Sequence, residues 1–230
     1  MSLFAIADTH LSLSTDKPMD IFGGWQDYMQ RLEKNWKALV SDEDTVVIAG
    51  DISWAMSLEG ALEDFKFLNG LPGKKLIFKG NHDYWWSTMR KMEKFLEDNE
   101  LNTLKIMHNS AVRVGDYAVC GSRGWFFDAE EDPDNKVLLR EAGRVRSSIE
   151  AAKEIGGEPI VFLHYPPLTQ NLVCNEIVSV LKETGVKRCY YGHLHGKSTL
   201  NAFIGEKEGI NFNIISGDYL KFCPKLIELG

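Results

Sequence analysis

Residues 3–10 read Leu-Phe-Ala-Ile-Ala-Asp-Thr-His, an apolar run that stops on a carboxylate and an imidazole. The run is too short for a helix, so it predicts a buried strand with polar groups at its carboxyl end. The pattern returns four times. The run at 46–49 is followed by Asp51, that at 76–78 by Asn81 and His82, that at 160–163 by His164, and that at 189–191 by His193 and His195. Amphipathic stretches separate the runs of the first half: Tyr28, Leu32, Trp36, Leu39 and Val40 recur at helical spacing, as do Leu58, Ala61, Leu62, Phe65 and Leu68, then Met89, Met92, Phe95 and Leu96. Strand and helix therefore alternate.

The remainder reads differently. Residues 134–156 predict a longer helix, opened by Asp134 as N-cap and closed by Gly156 and Gly157, and Asn171 and Gly185 bracket another. Residues 111–121 predict a hairpin turning at Gly115 and Asp116, and 200–204, 212–215 and 226–229 predict further strands. A second, more antiparallel sheet is implied. Two facing sheets with helices outside would bury both sets of apolar runs, an α/β (α+β) four-layer arrangement. At 230 residues, one domain over 1–230 is the expectation.

The composition, 44% hydrophobic and 26% charged, excludes a disordered chain, a collagen or a coiled coil. With 26 basic against 33 acidic residues the net charge is −7, and no Lys/Arg run interrupts it, so no stable nucleic-acid complex and no anionic-membrane partner are expected. Cys120, Cys174, Cys189 and Cys223 show no CxxC spacing, which suits reduced thiols and a cytoplasmic location. The first apolar run is too short for a secretory leader, and none approaches a membrane span.

In open α/β sheets the functional crevice lies outside the carboxyl ends of the strands, so polar residues distant in sequence converge there. Five of the six histidines stand at such ends, and His108 alone does not. Carboxylate, amide and imidazole groups without a thiolate suit Mn, Fe, Zn or Co. Eight groups exceed the needs of one ion, and two ions sharing a carboxylate would use them all. Such a pair activates water and clamps both oxygens of an in-line phosphoryl displacement, which points to a hydrolase.

Asp8-x-His10, Gly50-Asp51, Gly80-Asn81-His82-Asp83, His164 and Gly192-His193-x-His195, in this order, resemble the calcineurin-like metallophosphoesterase family over almost the whole chain. The resemblance implies a two-sheet β-sandwich flanked by helices, with a dinuclear centre at the strand ends. It assigns Asp8, His10 and His195 to one metal, Asn81, His164 and His193 to the other, and Asp51 to both. It makes His82 the group that protonates the leaving oxygen after attack by a metal-bridging hydroxide, with Asp83 as its orienting partner. Two features depart from many relatives: Trp54 stands where a further acid follows the second motif, and the arginine extensions of the Ser/Thr protein phosphatases are missing. His164-Tyr165-Pro166-Pro167 is similar to the phosphodiesterase-like branch, which favours a phosphodiester or a small phosphomonoester.

Trp54, Trp85, Trp86 and the run at 125–127 are candidates to line the mouth and stack on a substrate such as a nucleotide, and packing of the crevice walls is the competing reading. Arg123 is a candidate phosphate donor, or a partner for the acids between 128 and 134. Two alternatives belong to other classes: a binding scaffold without turnover, and a metal-dependent amidohydrolase barrel.

Overall fold

The computed structural model describes residues 1–125 and 135–227. Asp134, Phe126, Phe127, the acids between 128 and 134 and the end of the run at 226–229 lie outside them.

β1 (Leu3–Ile6), β2 (Thr45–Ala49), β3 (Lys74–Phe78) and β4 (Leu104–Ile106) pair in parallel, with β11 (Lys225–Ile227) antiparallel on the free edge of β1. The second sheet runs β5 (Val112–Val114), β6 (Tyr117–Ser122), β7 (Glu158–Leu163), β8 (Arg188–Tyr191), β10 (Ile210–Ile214) and β9 (Gly205–Lys207). Helices α1 (Tyr28–Leu39), α2 (Leu62–Asn69) and α3 (Met89–Asp98) cover the first sheet, and α4 (Asn135–Glu154) and α5 (Asn175–Glu183) the second.

The apolar runs are continuous because both faces of each sheet are covered. On β1, Leu3 and Ala5 meet Phe162 and Tyr190 between the sheets, while Phe4 and Ile6 join Leu32, Trp36 and Phe65 beneath the helices. Val161, Leu163, Cys189 and Tyr191 pack against Val145, Ile149 and Ile177 on the far side. The layers are therefore helix, sheet, sheet, helix, and the two-sheet arrangement excludes an amidohydrolase barrel. Cys120, Cys174 and Cys189 are buried free thiols, and Cys223 is half-buried and free. Among the described residues no helix is long and apolar enough to cross a membrane.

The structure corrects three expectations. The second sheet is parallel through β6, β7, β8 and β10 and antiparallel only at its rims. For β6, β7 and β8 the cause is α4 and α5, which lie between them as crossovers, the connection that parallel neighbours require, and β10 reaches β8 through residues 192–209 instead. Residues 200–204 are not a strand. Gly196–Asn201 forms 3₁₀ turns, held by Ser198 Oγ donating to the His195 carbonyl (2.7 Å) and Thr199 Oγ1 to the Gly196 carbonyl (2.7 Å). Such local bonds compete with a sheet ladder. The helix read from Leu58 starts only at Leu62, after the turn that contains Gly60. β4, three residues with Lys105 at its centre, has too little pattern to be read from sequence.

Candidate metal centre

Asp8 and His10 leave β1, Asp51 leaves β2, Asn81 and His82 leave β3, His164 leaves β7, and His193 and His195 leave β8. Three of these strands belong to one sheet and two to the other, so the crevice straddles the sandwich at one end. Backbone bonds lace its loops together: the Asp8 and His10 amides donate to the Gly50 and Asp51 carbonyls (both 2.9 Å), and Tyr28 Oη donates to the His10 carbonyl (2.7 Å).

Asp8, His10, Asp51 and His193 hold positive φ angles of 59°, 42°, 51° and 72°. Left-handed backbone at a non-glycine residue costs about 1–3 kcal/mol, and its clustering marks loops shaped for their side chains. The motif glycines have a different reason. A Cβ on Gly80 would lie 2.0 Å from Asp51 Oδ1, and one on Gly192 would lie 2.5 Å from Asp8 Oδ2. Those positions are filled by the Asp51 and Asp8 carboxylates.

The ligand atoms converge. His10 Nε2 and His195 Nε2 face each other at 3.4 Å, and Asp8 Oδ1 lies 3.3 Å from His195 Nε2. Asn81 Oδ1 lies 2.7 Å from His164 Nε2 and 3.0 Å from His193 Nδ1. Asp51 Oδ2 sits between the two sets, 3.7 Å from His10 Nε2 and 3.5 Å from His164 Nε2. Two groups can each hold a cation: Asp8, His10 and His195, and Asp8, Asp51 and His164. Two buried acids and several buried or half-buried imidazoles, turned on one another, fit divalent cations.

The electrostatics show what this crowding does without one. Burial, then the negative charge of Asp8, raises the Asp51 carboxyl well above the usual carboxylate range. Burial also pushes Asp8 up, but the His195, His164 and His10 charges outweigh it and hold Asp8 low. His195 is raised to about 10, because Asp8 and Asp218 overcome the opposing effect of burial. Burial lowers His10, His164 and His193, the last to about 3.

The orienting partners are only partly those expected. His164 Nδ1 lies 3.1 Å from the Ala49 carbonyl, which turns Nε2 into the site. Asp83 does not touch the His82 ring. Its carboxylate accepts the backbone amides of Gly80 (2.7 Å), Asp51 (2.9 Å) and Ile52 (2.8 Å) and the Trp85 indole N–H (2.9 Å), so it ties the β2 loop to the β3 loop. Two further acids serve the site. Asp218 lies 2.9 Å from His195 Nδ1 and accepts the Gly196 amide (2.8 Å). Asp64, on α2, accepts the Leu13 amide (2.8 Å) and the Ser53 hydroxyl, and so anchors both acid-bearing loops of the first sheet. Signals for both exist in the sequence: Gly217-Asp218 follows β10 as Gly50-Asp51 follows β2, and Asp64 interrupts the apolar stripe of α2. Asp218→Asn, which removes the charge behind His195, should weaken metal binding about 10- to 100-fold, measurable by calorimetry. Unchanged affinity would remove Asp218 from the site.

A cleft of ≈ 370 Å³ opens beside His10, His82 and His195, walled by Met19, Phe22, Trp25 and Trp54. Trp54 stacks on His10 (centroids 4.9 Å, 21°) and lies 4.5 Å from the His82 ring. Trp85 does not line it. At 2% exposure Trp85 packs edge-on against Phe65 in the core, because its indole N–H is drawn inward to Asp83. Arg123 faces a different cleft, together with Trp86 and His108.

A family model described as calcineurin-like phosphoesterase matches residues 1–197. No curated protein matches the chain. Among solved structures, the phosphopantetheinyl hydrolase of Mycobacterium tuberculosis is similar at TM-score 0.56 and 13% identity, covering 100% of this chain and 96% of that one. A protein of unknown function from Aquifex aeolicus is similar at TM-score 0.53 and 13% identity (98% and 95% covered). A protein of Thermus thermophilus is similar at TM-score 0.56 and 14% identity (84% and 81% covered). At these identities the structural likeness concerns the fold.

Proposed function

Because the chain belongs to the calcineurin-like phosphoesterase family, and so to the metal-dependent hydrolases, we propose that it cleaves a phosphodiester at a centre of two divalent ions. The observation that carries this reading is the convergence of seven ligand side chains from five strand ends on one crevice. Asp8, His10 and His195 would hold one ion, and Asn81, His164 and His193 the other. Asp51 is the shared ligand in preference to Asp8. The approach of Asp8 to His164 is to Nδ1 (3.8 Å), the nitrogen engaged by Ala49, whereas Asp51 Oδ2 meets Nε2, the nitrogen that is turned into the site and also meets Asn81.

When bound, Mn, Fe, Zn or Co supplies an activated water and charge stabilisation for the phosphoryl oxygens. The chain's own residues do the rest. His82 borders the aromatic cleft, and its amide donates to Asp51 Oδ1 (2.8 Å), which sets the imidazole beside the centre. Tyr84 Oη lies 3.3 Å from His82 Nδ1, leaving Nε2 to deliver a proton to the departing oxygen. Burial, then the charge of His164, lowers the His82 pKa, which makes that proton easier to give. Trp54 and Phe22 exclude water around an apolar or aromatic leaving group.

The test is a panel of small phosphodiesters, phosphomonoesters and nucleotides, each with Mn, Fe, Zn, Co and Mg. Diester turnover, lost on chelation and restored by metal, is expected. A protein that holds two ions and turns over no diester would overturn the reading. Metal uptake should also release protons. Without metal, Asp51 and His195 retain protons at neutral pH for the causes given above, with His195 at about 10. A cation displaces these protons, so affinity should rise as pH rises from about 6 to about 9. Calorimetry in buffers of different ionisation enthalpy measures this directly, and proton-independent binding would contradict it.

A further inference from the structure

A second cleft, of ≈ 300 Å³, plays no part in the chemistry above. Lys79, Trp86, His108, Arg123, Glu141 and Arg144 are among its lining residues. It gathers three cations against one acid in a chain whose net charge is −7. That acid is already engaged: Glu141, 2% exposed, accepts the Ser122 hydroxyl, the Gly124 amide (3.1 Å) and Arg144 Nη1 (2.8 Å). The side chains of Lys79 and Arg123 make no hydrogen bond or ion pair with any described residue. Both rest on aromatic faces, Lys79 over Trp86 (5.9 Å) and Arg123 over Trp125 (5.5 Å) and Tyr165 (5.9 Å), contacts that steer a cation and leave its N–H donors free.

The cleft abuts one side of the metal centre. The Arg123 carbonyl accepts the amides of His164 (3.0 Å) and Tyr165 (2.8 Å), the Tyr165 ring lies 4.5 Å from that of His193, and Lys79 stands two residues before Asn81. The aromatic cleft adjoins His10, His82 and His195 instead. An ester with its leaving group at His82 would therefore turn its retained arm toward the cations.

We propose that this cleft is a second anion subsite, in which Arg123 and Lys79 bind a phosphate or carboxylate carried on the retained arm of the substrate, several bonds from the scissile phosphoryl group. The subsite itself rests on the cleft alone, and only the assignment to the retained arm rests on the phosphodiesterase reading. Arg144, preset by Glu141, adds a third positive charge. His108, the histidine outside the strand-end pattern, is part of its wall.

Two measurements test this. The first titrates inorganic sulfate into metal-free protein by calorimetry. Neither substitution alters the ligand cluster, so the difference between wild type and variants reports the cationic cleft. Binding that weakens with added salt, and about tenfold in Arg123→Gln and in Lys79→Gln, is expected, with thermal unfolding showing that both variants are folded. The second compares metal-loaded protein on bis(p-nitrophenyl) phosphate and on p-nitrophenyl diesters whose other arm ends in a carboxylate or in a phosphate. The preference for a charged arm, read as a ratio of kcat/KM, should fall about tenfold in either variant, and the better of the two charged arms identifies the anion. Equal sulfate affinity in wild type and variants would overturn the subsite, and an unchanged preference ratio would overturn its assignment to the retained arm. Sulfate binding lost in the variants, without turnover of any diester, would uphold the anion site and overturn the phosphodiesterase reading instead.

Discussion

Replacing Asp51 with alanine should strip the protein of at least one ion and abolish measurable turnover. Three losses coincide at this position. The shared carboxylate goes, which leaves two cations facing each other with less negative charge between them. The acceptor for the His82 amide (2.8 Å) goes too, so the loop that carries Asn81 and His82 loses its tie to β2. The space that Gly80 keeps open for Asp51 Oδ1 is also vacated, which loosens a turn otherwise held by Asp83. The combined effect on metal affinity should exceed the roughly 10- to 100-fold typical of a supporting residue. Asp51→Asn, which retains an oxygen and loses the charge, should fall between the two. Elemental analysis that finds two tightly held ions in Asp51→Ala would contradict the shared-ligand assignment.

His82→Ala should behave in the opposite way, keeping both ions and losing turnover. Asn81, its neighbour, already turns an oxygen toward His164 and His193, whereas the His82 ring lies against Trp54 and faces the aromatic cleft. Loss of a general acid lowers turnover by about 10² to 10⁴. The loss should depend on the leaving group, since a nitrophenolate departs without a proton and an alkoxide does not. Wild type and variant measured on a nitrophenyl diester and an alkyl diester give four rates whose pattern decides the role. Equal losses on both substrates, or a missing ion, would make His82 a phosphate-orienting residue or a ligand.

How far these roles can be read without coordinates depends on whether a residue's signal is local. Each strand that bears a ligand is an apolar run with a polar end, and both features lie within about ten residues, so the runs at 3–7, 46–49, 76–78, 160–163 and 189–191 are legible as written. So are the turn glycines and the hairpin at Gly115 and Asp116. Trp85 and Asp83 are not. Both are polar-capable groups within three residues of His82, and nothing in their own neighbourhood says that one points into the core and the other to the amides of the loop after β2. The parallel pairing of β6, β7 and β8 is likewise invisible in any single strand, because it follows from where α4 and α5 cross the sheet.

Composition and spacing within single segments carry the alternation of strand and helix, the burial of both faces of each sheet and the ligand types at five strand ends, so the amino-acid order is enough for these. Folding alone settles which groups share the crevice, that Asp218 backs His195 and Asp64 anchors two loops, and that Arg123 and Lys79 face a cleft of their own. Those facts are distances between residues of different elements, from the 11 positions between Ser53 and Asp64 to the 185 between His10 and His195, and only packing sets such distances.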